Sequence, residues 1–269
     1  MKLRSDPYII FRKSKTPVGL YARKKWLKES HRSNYKDDFD DTVRLLSSGQ
    51  SSDGSWQKSP IKTIKRLFDF HLTVRDETES VRKALDWLVG QTLELLRGRR
   101  IHLPERISWN DLDSLPFTKG SDVLLISSAT LFLASVFGHS RDPHILQIYE
   151  WLQARGADGD GRRCGWNSFS NILRAFVVHP DYSKRRFVEL AVENLKEIQQ
   201  ETGLWVRSVP FYQTVNALAH LQGPRVEEQL IRAFNRLFRT QRNDGTWSRA
   251  QPEWNSFLVI HALKNKGEL

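Results

Sequence analysis

"TQRNDGTWSRAQPEWNSF", residues 240–257, sets Gln241, Asp244, Gly245, Trp247 and Pro252 in a fixed order before an apolar run. The same order stands near the other end as "GQSSDGSWQKSP", residues 49–60, with Gln50, Asp53, Gly54, Trp56 and Pro60. A looser copy, "QQETGLWVRSVPF" (199–211), keeps Gln199, Gly203, Trp205 and Pro210. In all three the Trp follows the Gln by six residues. A unit repeated at this scale points to an architecture of stacked supersecondary pieces.

Two kinds of helix are expected between the repeated turns. One is amphipathic: Val81, Ala84, Leu85, Leu88 and Val89 form a stripe, as do Val188, Ala191, Leu195 and Ile198, and Leu230, Phe234, Leu237 and Phe238. Spacings of three and four put each set on one buried face. The other kind is apolar on more sides, as in "SDVLLISSATLFLASVFG" and "PEWNSFLVIHALK", which reads as buried. Inner helices are expected at about 17–27, 60–73, 121–137, 166–179, 210–222 and 253–264. Outer ones are expected at about 37–49, 76–93, 142–155, 184–200 and 225–241. Such hairpins close into a double-layered barrel or stack linearly, and periodicity alone does not choose. Glycine in the repeat is expected to stop the outer helices. Pro60, Pro210 and Pro252 are expected to open the inner ones, where a missing N–H costs nothing. Gln and Trp between them would plug neighbouring hairpins together.

The set "QSSDGSW", "QRNDGTW" and "QETGLW" resembles the QW repeats of the prenyltransferase and squalene-cyclase (terpenoid cyclase) superfamily, and helix alternation extends the resemblance over about residues 40–269. It implies an all-α fold, an α/α toroid of about six inner and five or six outer helices. It further implies a central cavity, isoprenoid substrates and ligand contacts near the N-terminal ends of inner helices. The chemistry of this member stays open, since function is grafted onto folds.

Composition bounds the rest. At 39% hydrophobic and 27% charged residues over 269 positions, with a mean hydropathy of -0.53, the chain reads as a water-soluble globular protein. Val123–Phe137, its most apolar stretch, is shorter than the ~20 residues a membrane span needs. No secretory signal is legible, and one cysteine, Cys164, leaves no internal disulfide, so cytoplasmic location is the expectation. Residues 1–36 carry eleven Lys or Arg against Asp6 and Glu29, giving this segment +9 of the net +11. It reads as a basic N-terminal segment packed on a single toroid domain at 37–269, which is interrupted by a long loop at 94–118. A basic arm is either a solvated face or an attractor of anions, including an acidic membrane surface. Nucleic acid is a weaker partner, because no reader motif accompanies the charge.

The candidate catalytic acids are Asp40, Asp122 and Glu253. Asp40 lies in "DDFDDT" (37–42), which resembles the proton-donating motif of class II terpenoid cyclases, where a carboxylic acid faces an apolar cavity. Here it falls at the expected start of an outer helix, where acids also serve as caps. Asp122 and Glu253 stand at inner-helix starts, as buried proton donors or as ordinary first-turn acids. Zinc of the protein-prenyltransferase type is not expected, since the Asp-x-Cys signature is absent and Cys164, His220 and His261 do not form a ligand set. Mg²⁺ accompanying a diphosphate is the one cofactor this reading leaves room for.

Ligand-binding candidates are aromatic and basic. "WNSF" opens two inner helices with Trp166, Asn167, Trp254 and Asn255, and Phe211 and Tyr212 occupy the related place between them. Aromatic faces suit an isoprenoid chain or a carbocation, and equally suit core packing. Two residues past each repeat Trp come Lys58, Arg207 and Arg249, and Lys119, Arg162 and Arg163 lie at other inner-helix entrances. In a closed barrel they would form a cationic rim suited to a diphosphate. The function expected is isoprenoid handling, with a prenyl diphosphate or similar amphiphile in the central cavity. An enzyme of this kind would call for a second helical subunit or domain, because the chain supplies one toroid. The alternative is a non-catalytic toroid that binds a lipid, peptide or partner protein.

Overall fold

The computed structural model of the chain describes residues 3–99, 107–155 and 164–269. Among them are eleven α-helices and no β-strand of more than an isolated bridge. The helices are α1 (Pro17–Lys25), α2 (Ser33–Ser47), α3 (Pro60–Thr73), α4 (Glu79–Leu96), α5 (Asp122–Val136) and α6 (Pro143–Arg155). They continue with α7 (Trp166–Phe176), α8 (Arg186–Glu197), α9 (Phe211–Leu218), α10 (Pro224–Thr240) and α11 (Pro252–Asn265).

The odd-numbered helices form the inner ring. Contacts run α1 to α3, α3 to α5, α5 to α7, α7 to α9, α9 to α11, and α11 back to α1. The barrel is therefore closed, and the linear stack is excluded. The even-numbered helices pack outside, giving six inner and five outer helices as the alternation predicts. Burial follows the two patterns: α5 buries every residue from Leu124 to Ala134. By contrast, α10 buries a stripe containing Val226, Leu230, Ala233, Phe234, Leu237 and Phe238, with charged residues between.

The repeated turns tie outer positions together. Each Trp Nε1 donates to a carbonyl at the end of the preceding outer helix: Trp56 to Ser48 (2.9 Å), Trp205 to Leu195 (3.0 Å) and Trp247 to Leu237 (2.8 Å). Each Gln Nε2 reaches the next outer position, Gln50 to the Ser80 carbonyl (2.8 Å), Gln199 to Gln229 (2.9 Å) and Gln241 to Ser5 (3.0 Å). In the two closer copies Asp closes the turn, Asp53 accepting from Ser55 N and Oγ and Asp244 from Thr246 N and Oγ1. Thr202 and Leu204 replace that pair in the looser copy.

Two sequence expectations need correction here. Gly54, Gly203 and Gly245 do not stop helices; they come several residues after the helix ends, at φ of +93°, +84° and +83°. A Cβ on each would lie 2.3 Å from the carbonyl oxygen of Lys83, Arg232 and Asp6, respectively. Glycine is needed for a left-handed turn that lets the next outer element approach. Pro60 and Pro252 do open helices, whereas Pro210 sits one residue before α9 as its N-cap.

The third turn shows what the N-terminal segment does. Arg4 N and Ser5 N donate to Gln241 Oε1 (2.7 and 3.2 Å), and Asp6 meets Gly245 where α4 and α10 meet Gly54 and Gly203. Tyr8 and Phe11 pack on Trp26, and Lys264 of α11 sits over the Tyr8 ring. Residues 4–11 thus occupy the sixth outer position, and α1 supplies the ring's first inner helix. Asp38 anchors this segment through Lys15 and Arg23 (both 2.8 Å). The Lys15 ammonium, then the Arg23 guanidinium, hold the Asp38 carboxyl below the usual range.

Candidate functional site

The inner ring encloses a cavity of about 320 Å³. All six inner helices or the turns that end them contribute: Tyr21, Phe68 and His71, Phe132, Arg174, Asn216 and His220, and Trp254, Phe257 and His261. Most of these stand in the later turns of their helices, so the cavity lies toward the C-terminal ends of the ring. The exposed Arg75, just past α3, stands at its edge with its guanidinium 5.4 Å from the Tyr21 ring centre.

The opposite end is filled by the long connection after α4. Ile107, Leu112, Leu115 and Phe117 are buried, with Phe117 edge-on to Phe132. Thr118 N donates to Asn171 Oδ1 (2.8 Å) while Asn171 Nδ2 returns a bond to the Thr118 carbonyl (2.8 Å). Asp113 meets Gln251, before α11. Residues 107–118 therefore cross from α5 and α7 to α11 over the N-terminal end.

Inside the cavity, Arg174 is 7% exposed. Its Nη1 donates to Asn216 Oδ1 (2.6 Å), its guanidinium carbon lies 5.0 Å from the Phe132 ring centre, and its Nε is buried with no partner. No carboxylate among the described residues pairs with it, and none lines the cavity. Burial pushes Arg174 down to about 9, which leaves it cationic at neutral pH. Asn216 is fixed in turn, its Nδ2 donating to the Leu258 carbonyl (3.0 Å) and lying 3.4 Å from His261 Nδ1.

Three imidazoles complete the polar wall. Burial, followed by the nearby cations Arg75 and Arg174, pushes His71 down to about 3. Burial, then Arg174 and Arg75, lowers His261 to about 4; burial, then Arg174, also drives His220 well below its usual value. All three are neutral at pH 7. His220 and His261 lie with ring centres 5.5 Å apart, and His220 Nε2 is buried without a partner. No group of three or more His, Cys, Asp or Glu among the described residues is arranged to hold a metal ion.

The remaining wall is aromatic. Trp254 stacks on Phe257 and meets Phe68 edge-on; Phe257 continues the stack to Trp26. The chamber thus has a mixed wall, aromatic and aliphatic on some sides and on others polar, with one buried cation and several hydrogen-bonding groups. It can receive an anionic head with an apolar body.

The structure has a terpene-cyclase-like fold. The chain is similar to a type II terpene cyclase, MstE from Scytonema, at 12% identity and a TM-score of 0.61, over 95% of this chain and 88% of that one. It is also similar to a protein from Actinoplanes at 15% identity and a TM-score of 0.59, over 98% and 90% of the two chains. No family model and no curated protein sequence matches the chain. Identities this low carry the fold alone.

Of the catalytic and ligand-binding candidates that lie among the described residues, Trp254 is the one placed in the cavity wall; His220 and His261, considered above as metal ligands, also line it. Lys58, Arg207 and Arg249 are exposed at the N-terminal end of the ring, beyond the filling of residues 107–118. Trp166, Asn167, Phe211, Tyr212 and Asn255 are half-buried at the starts of their helices. There Tyr212 Oη donates to the Trp247 carbonyl (2.8 Å) and Asn255 Nδ2 to the Ala250 carbonyl (2.9 Å). Arg162 and Arg163 lie outside the described residues. Asp122 is in the first turn of α5, and Glu253 Oε2 accepts from Thr16 Oγ1 (3.0 Å). Asp40 is exposed on the outer α2; that helix begins at Ser33, so Asp40 sits in its interior and does not cap it.

Sequence reasoning missed Arg174, Asn216 and His71. A signal existed: Arg174 is the one Lys, Arg, Asp or Glu between Trp166 and Pro180, in the middle of an otherwise apolar inner helix. His71, His220 and His261 also stand near the ends of three inner helices, a shared level that marks one end of the ring.

Proposed function

We propose that this toroid binds an amphiphilic anion, of the prenyl diphosphate type, in its central cavity. The observation that supports it is Arg174: a buried guanidinium with no carboxylate partner, facing an aromatic chamber. Burying an uncompensated charge is costly. A ligand anion would offset that cost and take up the free Nε. Asn216, His220 and His261 would share its oxygens, while Phe68, Trp254 and Phe257 would hold the apolar chain.

A specific observation favours binding over proton-initiated cyclisation. Among the described residues no Asp or Glu stands in the cavity wall, and the neutral imidazoles there are poor proton donors at pH 7. The non-catalytic reading therefore rests on the cavity's own composition.

Calorimetry with geranyl diphosphate, with and without Mg²⁺, tests the proposal, with mass spectrometry of the same mixtures for turnover. Saturable binding that is lost in Arg174→Gln is the expected result, with the ligand recovered unchanged. Binding unaffected by Arg174→Gln but lost when Lys58, Arg207 and Arg249 are replaced by Gln would move the site to the opposite rim. A new hydrocarbon product would establish an enzyme.

A further inference from the structure

The inner wall is lowest at α9. That helix has eight residues, against fourteen in each of α3 and α11 and fifteen in α5. Beyond Leu218 the wall is continued by the turn 219–223, before α10 starts at Pro224. His220 stands in this turn and faces two spaces. One is the central cavity; the other is an outer groove of about 550 Å³ between α8 and the start of α10. Val188, Val192, Leu221, Pro224 and Val226 give the groove an apolar lining. One imidazole therefore separates an aromatic chamber from an apolar groove, and its buried Nε2 has no hydrogen-bond partner. A strongly built wall would satisfy that nitrogen. The turn itself is held from behind, with Lys266 Nζ donating to the Leu221 carbonyl and to Glu227 Oε1 (both 2.6 Å). His220 is thus the poorly anchored side chain in a fixed turn.

We infer that the groove is the tail subsite of the central cavity: an amphiphilic anion keeps its head at Arg174 and runs its chain past His220 to lie on Val188, Val192 and Val226. This rests on the binding reading above and adds to it the ligand's class, a chain too long for the cavity alone. At about 320 Å³ the cavity is at the small end of ligand sites, which span roughly 300–1,000 Å³. The groove more than doubles the space. In this arrangement rotation of His220 about its side-chain bonds would open the passage without moving a helix, since no hydrogen bond holds its Nε2 in place.

The test compares geranyl and geranylgeranyl diphosphate by calorimetry on the wild type, Gln222→Trp and Ser183→Trp. Both substituted residues line the groove from outside the core, and melting curves check the fold. The wild type should prefer the longer chain by at least tenfold, each variant should lose that preference, and the shorter ligand should bind all three alike. A photoreactive group at the tail end of the longer ligand should cross-link to peptides containing Val188, Val192 or Val226, a readout independent of any variant. Binding of the short chain with no preference for the long one, or cross-links confined to the cavity wall, overturns the tail subsite and leaves the cavity reading standing. Binding of neither ligand overturns both.

Discussion

Arg174→Met separates a residue kept for binding from one kept for stability. Burial that brings this guanidinium down to about 9 corresponds to roughly 5 kcal/mol against its charged form, at about 1.36 kcal/mol per pKa unit. Methionine fills nearly the same space without the charge and is adaptable in shape. The substitution strands Asn216 Oδ1, at a cost of about 1–3 kcal/mol. It also removes the contact with the Phe132 face, worth about 0.5–2 kcal/mol. The balance is a net gain of between about 0 and 3.5 kcal/mol in the ligand-free protein, with a midpoint of about 2. For a chain of this size the midpoint raises Tm by roughly 4–8 °C. Circular dichroism melts give the stability, and calorimetry with geranyl diphosphate gives the affinity. The expected outcome is a higher Tm together with at least a tenfold loss of binding, the usual opposition between a strained site and a stable fold. A lower Tm with binding intact would mean that Arg174 is a structural residue satisfied by Asn216 and the aromatic wall, and the argument for an anion would fail.

Trp247→Ala and Trp56→Ala should each destabilise the fold by about 3–5 kcal/mol, since each ring is buried and its Nε1 holds an outer-helix carbonyl. Chemical denaturation measures both, and unchanged midpoints would rule out the tying role of the turns. Gly54→Ala should lower Tm at constant cavity binding, because its Cβ would meet the Lys83 carbonyl at 2.3 Å in a left-handed turn. The pH profile has two opposed arms. Burial, against the pull of Lys65 and Arg66, raises Asp69 to about 7. Its contribution is fully present below about 4 and lost as pH rises to 7. His71 and His261, lowered to about 3 and 4 by burial, contribute fully above about 6.5 and lose that contribution as pH falls toward 4. Asp69→Asn should therefore gain Tm relative to wild type between pH 5 and pH 8, as melts across that range would show. A constant difference would mean that Asp69 is solvated.

The architecture was legible because it rests on periodicity, and packing reads periodicity directly. The alternation of one-sided and all-round apolar helices placed all eleven helices, the inner α1 included, but left closure open until the contact of α11 with α1 settled it. The repeated turns were legible as joints, but the job of each residue was not. Gly54, Gly203 and Gly245 look like helix stops in sequence, whereas what fixes them is a carbonyl of a distant segment, Lys83, Arg232 or Asp6. The cavity was harder still. Its position depends on which end of the ring is filled, and residues 107–118, a stretch without helical periodicity, decide that. Basic residues at the helix starts drew attention to the end into which Ile107, Leu112, Leu115 and Phe117 are buried. The opposite end announced itself only through single polar residues late in apolar helices, which ordinary core packing also tolerates.

The cavity's composition bears on how far a shared fold carries chemistry. Protonating an alkene needs a strong acid facing an apolar chamber, held there with its proton until the substrate arrives. This chain has an acid-rich motif, Asp37–Thr42, yet it lies on the outer α2, and the carboxylate of Asp38 is spent on Lys15 and Arg23. Those pairs hold residues 12–25 in place, and with them the α1 helix and the sixth outer position. Asp38 of the acidic cluster thus ties α1 to the outer α2. Within the barrel the sign of the charge is reversed: a guanidinium and neutral imidazoles replace the acid. A cation at this place repels a carbocation and attracts the group that a diphosphate or carboxylate would present. The proposed anion site therefore stands or falls with this side chain, which is why Arg174, more than the fold, is the residue on which the function of this protein should be tested.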